Sequence, residues 1–100
     1  MQYLVTAYDG KDSGAAERRK NARQRHLAGV ARFIEAGKHL YAVAILDEAG
    51  DMIGSVMVVD FPSREALERE WLDSEPYITE NVWKEVEIRP CKVPGLFQGK

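Results

Sequence analysis

His39-Leu40-Tyr41-Ala42-Val43-Ala44-Ile45-Leu46-Asp47 and Met52-Ile53-Gly54-Ser55-Val56-Met57-Val58-Val59-Asp60-Phe61 are two apolar runs joined by Glu48-Ala49-Gly50-Asp51. Both are rich in β-branched and aromatic residues, and the link is short and contains glycine. That combination reads as a β-hairpin, with strands over 39–47 and 52–61. The chain on either side of the hairpin repeats one pattern. Before it come a strand over 2–9, ending at Asp9-Gly10, and a helix that Ser13 caps and that runs to Ala36. Gly37 then falls where a helix end favours a left-handed residue. Leu27, Val30, Ala31 and Ile34 recur at helical spacing as its buried stripe, while the polar turns over 14–22 are expected to fray or stay loop. After the hairpin, Ser63 caps a second helix with Leu67 and Trp71 on its inner face, ending before Pro76. A fourth strand follows over 83–89, with Trp83, Glu85, Glu87 and Arg89 opposite Lys84, Val86 and Ile88. The order βαββαβ places both helices on one face of an antiparallel sheet. This is a ferredoxin-like α+β sandwich. The domain is expected over 1–92, with residues 93–100 as a tail.

Composition sets the outer limits. With 100 residues, 45% of them apolar and 30% charged, the chain fits one globular domain. It has no apolar run near the length a bilayer demands, and Met1-Gln2-Tyr3-Leu4-Val5 lacks the basic-then-apolar order of a signal peptide. One cysteine, Cys91, cannot form an internal disulfide, so a cytoplasmic setting and no membrane partner are expected. Strands two and three are apolar on both faces, yet two helices cover only one. The remaining cover is a second copy, which predicts a homodimer packed sheet to sheet. Each Val, Ile or Leu left wet would forgo roughly 1.5–3 kcal/mol.

Charge is segregated. Residues 18–32 carry Arg18, Arg19, Lys20, Arg23, Arg25 and Arg32 with no acid, whereas 65–87 hold eight acids against Arg69 and Lys84. RNA-binding domains of this element order stack bases on strand aromatics beside basic residues. Ile53-Gly54-Ser55-Val56-Met57-Val58-Val59 has neither, and the net charge is −2, so no nucleic-acid partner is expected. The basic helix is either a solvated face or a means of drawing a phenolate-like substrate toward a nearby pocket.

No phosphate-binding glycine loop, nucleophile elbow or His-Glu-x-x-His motif is present, and the two histidines are too isolated to suggest a metal site. His26 borders the apolar half of the first helix. It is either an ordinary boundary residue or an imidazole that titrates near neutrality as acid or base. Asp73 ends the second helix, where an acid opposes the helix dipole. It is either a tolerated surface acid or one held by a donating partner.

Arg25-His26-Leu27, the opening Tyr3-Leu4-Val5-Thr6-Ala7-Tyr8-Asp9, and Trp71-Leu72-Asp73-Ser74-Glu75-Pro76-Tyr77 running on to Val82-Trp83 and Arg89-Pro90 carry a resemblance. The chain resembles the YciI-like family of small dimeric α+β barrel proteins. The resemblance puts the family's active-site histidine on His26 and its acidic run on Asp73 and Glu75, with Glu75 replacing the usual Asp before Pro76. It departs from the family at Tyr41-Ala42-Val43-Ala44, where many members have Gly-Pro. The family member with an assigned reaction eliminates HCl from a chlorinated hydroxyhydroquinone. By resemblance, the expected activity is that of a cofactor-free dehydrochlorinase acting on a small aromatic substrate to give a hydroxybenzoquinone-type product. His26 would be its base and Asp73 the carboxylate that fixes the imidazole tautomer. Tyr3, Tyr8, Tyr77 and Trp83 are expected either to wall the substrate or to pack the core or an interface, and Arg25 either to steer a phenolate or to stay solvated. The alternatives are a small-ligand binding or interaction module, and a cofactor-free monooxygenase or isomerase on the same barrel.

Overall fold

The computed structural model describes residues 1–97. Four strands form one antiparallel sheet in the order β2-β3-β1-β4, where β1 is Gln2–Asp9, β2 His39–Leu46, β3 Met52–Asp60 and β4 Trp83–Cys91. Helix α1, Ala15–Glu35, and a second helical segment cover one face. This is the ferredoxin-like α+β architecture. The hairpin turn uses Gly50 at φ +91°, and Gly37 closes α1 at φ +75°, both left-handed positions that glycine adopts without strain. Asp47 Oδ1 accepts the N–H groups of Ala49 and Asp51 and fixes the hairpin turn.

The core lies between sheet and helices. Tyr3, Val5 and Ala7 of β1 face Met57 and Val59 of β3, and Phe61, Leu67, Trp71, Tyr77, Val82 and Trp83 close over them. The other face, with Leu4, Thr6 and Tyr8 beside Val56 and Val58, carries no helix. Tyr41 and Val43 continue it on β2, 71% and 48% exposed. The expected tail begins after β4, which runs to Cys91. Gly95–Phe97 make a single 3₁₀ turn, and the rest of the tail, 98–100, lies outside the described residues. No helix among the described residues is long and apolar enough to cross a membrane.

Several local expectations are corrected. Helix α1 is continuous from Ala15, because its polar first turns are tied down. Arg18 pairs with Asp12, and Arg19 with Asp9. The cap is not Ser13: Gly14 occupies the cap position, and the Asp12 carboxylate accepts the Gly14 N–H. The buried stripe of α1 is Ala15, Arg19, Ala22, His26 and Gly29, joined by Val30 and Phe33, while Leu27 and Ile34 are exposed. Apolarity alone pointed one residue around the helix, since the buried stripe includes ion-paired polar groups. The second helix is short. Ser63 does cap α2, Arg64–Glu70, by accepting the Ala66 N–H at 3.0 Å. A 3₁₀ turn, Leu72–Ser74, follows it, and α3, Pro76–Thr79, then starts on Pro76. In β4 a register shift sets Trp83 opposite Asp9 but Glu85 opposite Tyr8. The extra residue turns Trp83 onto the helix side, away from Glu85, and buries it.

Candidate active site

Helix α1 presents Arg19, Arg23 and His26 at spacings of four and three, on one face, toward the sheet. The break between α2 and α3 supplies the partner. Pro76 excludes helical geometry at Glu75, which is extended at φ −65°, ψ 125° and caps α3. Its side chain folds inward and is almost fully buried, 3% exposed. Oε2 accepts from the Tyr77 N–H at 3.0 Å and lies 2.6 Å from His26 Nδ1, while Oε1 accepts from Trp71 Nε1 at 2.9 Å. Burial pushes the Glu75 carboxyl up. The His26 hydrogen bond and charge, the Tyr77 N–H and the Trp71 indole outweigh it and hold the group below its ordinary value. An ionised Glu75 can only accept, so this hydrogen bond assigns the proton to Nδ1. Nε2 has no partner among the described residues and, unlike both nitrogens of His39, is not sealed from solvent.

The expected pairing of His26 with Asp73 is therefore corrected. Asp73 sits on the 3₁₀ turn, is exposed, and makes no hydrogen bond or ion pair among the described residues. The turn places Asp73 outside and brings the residue two positions on, Glu75, inside.

The Tyr77 ring stacks on the imidazole at 3.9 Å and 11°, and Trp83 meets both rings edge-on, at 5.4 Å from Tyr77 and 5.8 Å from His26. The Arg19 guanidinium lies 4.8 Å from the centre of the Tyr77 ring. Arg19 is itself buried. Its Nε and Nη2 donate to Asp9 at 2.6 and 3.1 Å, and Nη2 also donates to Ser55 Oγ at 3.3 Å. Burial raises the Tyr77 phenol above its usual value despite the nearby Arg19 and Arg23 charges.

Arg19, Arg23, His26, Ser55 and Tyr77 border a hollow of about 180 Å³ between α1 and the sheet, completed by Leu27, Ala42, Val43, Ala44, Met52 and Met57. A larger concavity, about 660 Å³, lies on the open face among Leu4, Tyr41, Val58, Cys91, Lys92 and Phe97. Among the described residues it holds no carboxylate or imidazole, and burial pushes the Cys91 thiol up, away from the reactive thiolate form. Of the two, the small hollow is the one lined by an imidazole.

Of the expected aromatic walls, Tyr77 and Trp83 gather at the imidazole. Tyr3 is core, and Tyr8 is corrected as a wall of the hollow: it lies on the open face, because alternate residues of β1 point to opposite sides. Arg25 pairs with Glu80 and borders a separate depression behind Glu75 and Trp71. Sequence reasoning missed Arg19, Arg23, Asp9 and Ser55. The spacing 19–23–26 was the available signal, together with the position of Asp9 in phase with buried Val5 and Ala7.

A family model for the YCII-related domain matches residues 1–92. The protein YciI of Escherichia coli is 32% identical over 98 residues, covering 92% of this chain and 97% of that protein. Among solved structures, the 5-chloro-2-hydroxyhydroquinone dehydrochlorinase of Burkholderia phenoliruptrix, in complex with 2,5-dihydroxybenzoquinone, superposes with a TM-score of 0.82. The identity is 17%, over 96% of this chain and 98% of that one. Muconolactone isomerase superposes at 0.63 with 18% identity, over 100% of this chain and 98% of that one. At these identities the likeness is one of fold, that of the dimeric α+β barrels.

Proposed function

The chain belongs to the YCII-related domain family, and from that premise we propose that it is a cofactor-independent dehydrochlorinase of a chlorinated hydroxyhydroquinone. The observation that carries this reading is the buried His26–Glu75 pair, with Nε2 left free beside a ring-sized hollow. An engineered cavity of about 150 Å³ holds benzene, so about 180 Å³ suits one substituted ring. His26 Nε2 takes a ring hydroxyl proton, and Glu75 stabilises the imidazolium that forms. The ring ketonises and the carbon bearing chlorine gains a proton. Chloride then leaves with the C–Cl bonding pair, while loss of a further hydroxyl proton completes the quinone. The net change is loss of HCl, and no external electron carrier enters the balance.

The test is chloride release from 5-chloro-2-hydroxyhydroquinone without oxygen. Wild type should release chloride. His26→Ala and Glu75→Gln should lose about 10²–10⁴-fold in turnover, while Asp73→Asn keeps it. No chloride release rejects the lyase. Oxygen consumption in air would indicate an oxygenase on this fold instead, and binding with neither change a ligand-binding module. A Glu75→Gln enzyme at full rate rejects the dyad.

A second copy of the chain is assigned to the open face of the sheet. The support is its exposed apolar row, including Tyr41, Val43 and Leu40, which nothing else among the described residues covers.

A further inference from the structure

The cations around the hollow differ in their partners. Arg19 is neutralised by Asp9 in a two-point ion pair, and His26 is held by Glu75. Arg23 remains. It lies one helical turn from each of them, borders the same hollow, is exposed, and makes no hydrogen bond or ion pair among the described residues. It also borders the neighbouring cleft that holds Asp47 and Asp51. Neither carboxylate lies within ion-pair distance of Arg23, and Asp47 Oδ1 is engaged by the hairpin backbone. The hollow is therefore lined by apolar side chains, by the imidazole and by one cation, Arg23, that has no ion-pair partner among the described residues.

We propose that Arg23 is a specificity-determining residue that selects a ring-sized anion, a phenolate or hydroxyquinone anion, over its neutral counterpart. This rests on the reading of the hollow as the reaction site. The size of the hollow limits the ligand to one ring. The unpaired guanidinium favours a ring that carries negative charge, since a guanidinium and an oxyanion are two charged hydrogen-bond partners where a neutral hydroxyl offers a weaker bond. Arg19 cannot serve in the same way. Two of its nitrogens are already committed to Asp9, and breaking that buried pair would leave a desolvated carboxylate. Its part is to support the Tyr77 ring against which the imidazole stacks.

Binding separates this inference from the reaction. The probe is 2,5-dihydroxybenzoquinone, ionised at neutral pH, and its neutral counterpart is hydroquinone. Quenching of tryptophan fluorescence in the full chain follows both, at low and at high salt. Wild type should bind the anion at least about tenfold more tightly than hydroquinone, and added salt should narrow the gap. Arg23→Gln should weaken anion binding about tenfold, leave hydroquinone binding unchanged and remove the salt dependence. Arg23→Lys should restore most of the loss, and Lys20→Gln, an exposed cation on the same helix, should change nothing. Anion binding within twofold of wild type in Arg23→Gln, or equal affinity of wild type for the two probes, overturns the inference. A chain that selects the anion through Arg23 but releases no chloride refutes the lyase and leaves this inference standing. Chloride release with an undiminished kcat/KM in Arg23→Gln refutes this inference alone.

Discussion

Replacing His39 with Phe should stabilise the fold at neutral pH and flatten its loss of stability in acid. His39 opens β2 and is 4% exposed. Its ring stacks on Phe33 at 4.8 Å and meets Trp71 edge-on at 4.6 Å, and neither ring nitrogen has a hydrogen-bond partner. Burial lowers its pKa from 6.5 to about 4, against the attraction of Glu75 and with the repulsion of His26. The sign follows from linkage. Between those two values the unfolded chain binds a proton that the folded chain refuses, so stability falls as pH drops through that window and levels off below it. The shift amounts to roughly 3–4 kcal/mol. Phe has a similar shape and takes no proton. It also removes an unsatisfied buried N–H, worth about 1–3 kcal/mol at neutral pH. Glu75 acts in a separate window. Its folded pKa is lowered, so its contribution is present above the ordinary 4.5 and is lost only as pH falls below it. Urea denaturation of wild type and His39→Phe at about pH 7.5 and about pH 5 isolates His39, because every other group is common to both proteins. The reasoning is refuted if the variant is less stable at the higher pH and loses as much as wild type on acidification.

Arg19→Met should cost about 3–5 kcal/mol in chemical denaturation, because it strands the buried Asp9 carboxylate, and Arg19→Met with Asp9→Leu should recover most of it. A single variant as stable as wild type would show that the pair is not desolvated. Tyr41→Asp places a charge on the open face without touching the core or the hollow. In chromatography with light scattering, wild type should run at the mass of a dimer and the variant at that of a monomer, with unchanged circular dichroism. A wild-type monomer at micromolar concentration removes the proposed self-association. Ser63→Ala should lower stability by about 1 kcal/mol through the lost α2 cap, whereas Ser13→Ala should leave thermal unfolding unmoved.

The parts of the fold legible in the sequence are those set by local chemistry. The apolar, β-branched runs 39–46 and 52–59 mark the two hairpin strands, Gly50 and Gly37 mark backbone positions where side chains are strained, and Ser63 sits three residues before the N–H it caps. The features that resisted reading depend on distant partners. The buried side of α1 was displaced from Leu27 and Ile34 because a stripe containing Arg19 and His26 looks polar until Asp9 and Glu75 are brought to it from 10 and 49 residues away. The face of Trp83 was lost to a single inserted residue in β4, which reverses the alternation without a glycine or proline to announce it.

The working carboxylate shows the same limit most sharply. Asp73 and Glu75 are two residues apart, and both are acids near the end of a predicted helix, so helical spacing gives no reason to choose between them. The choice is made by Pro76. It forces Glu75 out of helical geometry and makes it the cap of α3, and a capping side chain turns back over the first turn of the helix it starts. Here that turn brings Tyr77 onto the imidazole, so one backbone break delivers both the carboxylate and the stacking ring. The longer reach of Glu then lets one carboxylate cap the helix, accept the Trp71 indole and hold His26 at once. A shorter Glu75→Asp side chain should sacrifice the His26 contact before the local Tyr77 N–H, because the cap lies two residues away and the imidazole comes from another helix. The imidazole Nδ1 proton in NMR reads this directly: strongly deshielded in wild type, returned toward the exchanging solvent position in Glu75→Asp, with α3 still formed. A deshielded proton that survives the shortening would mean the carboxylate follows His26 and not the cap.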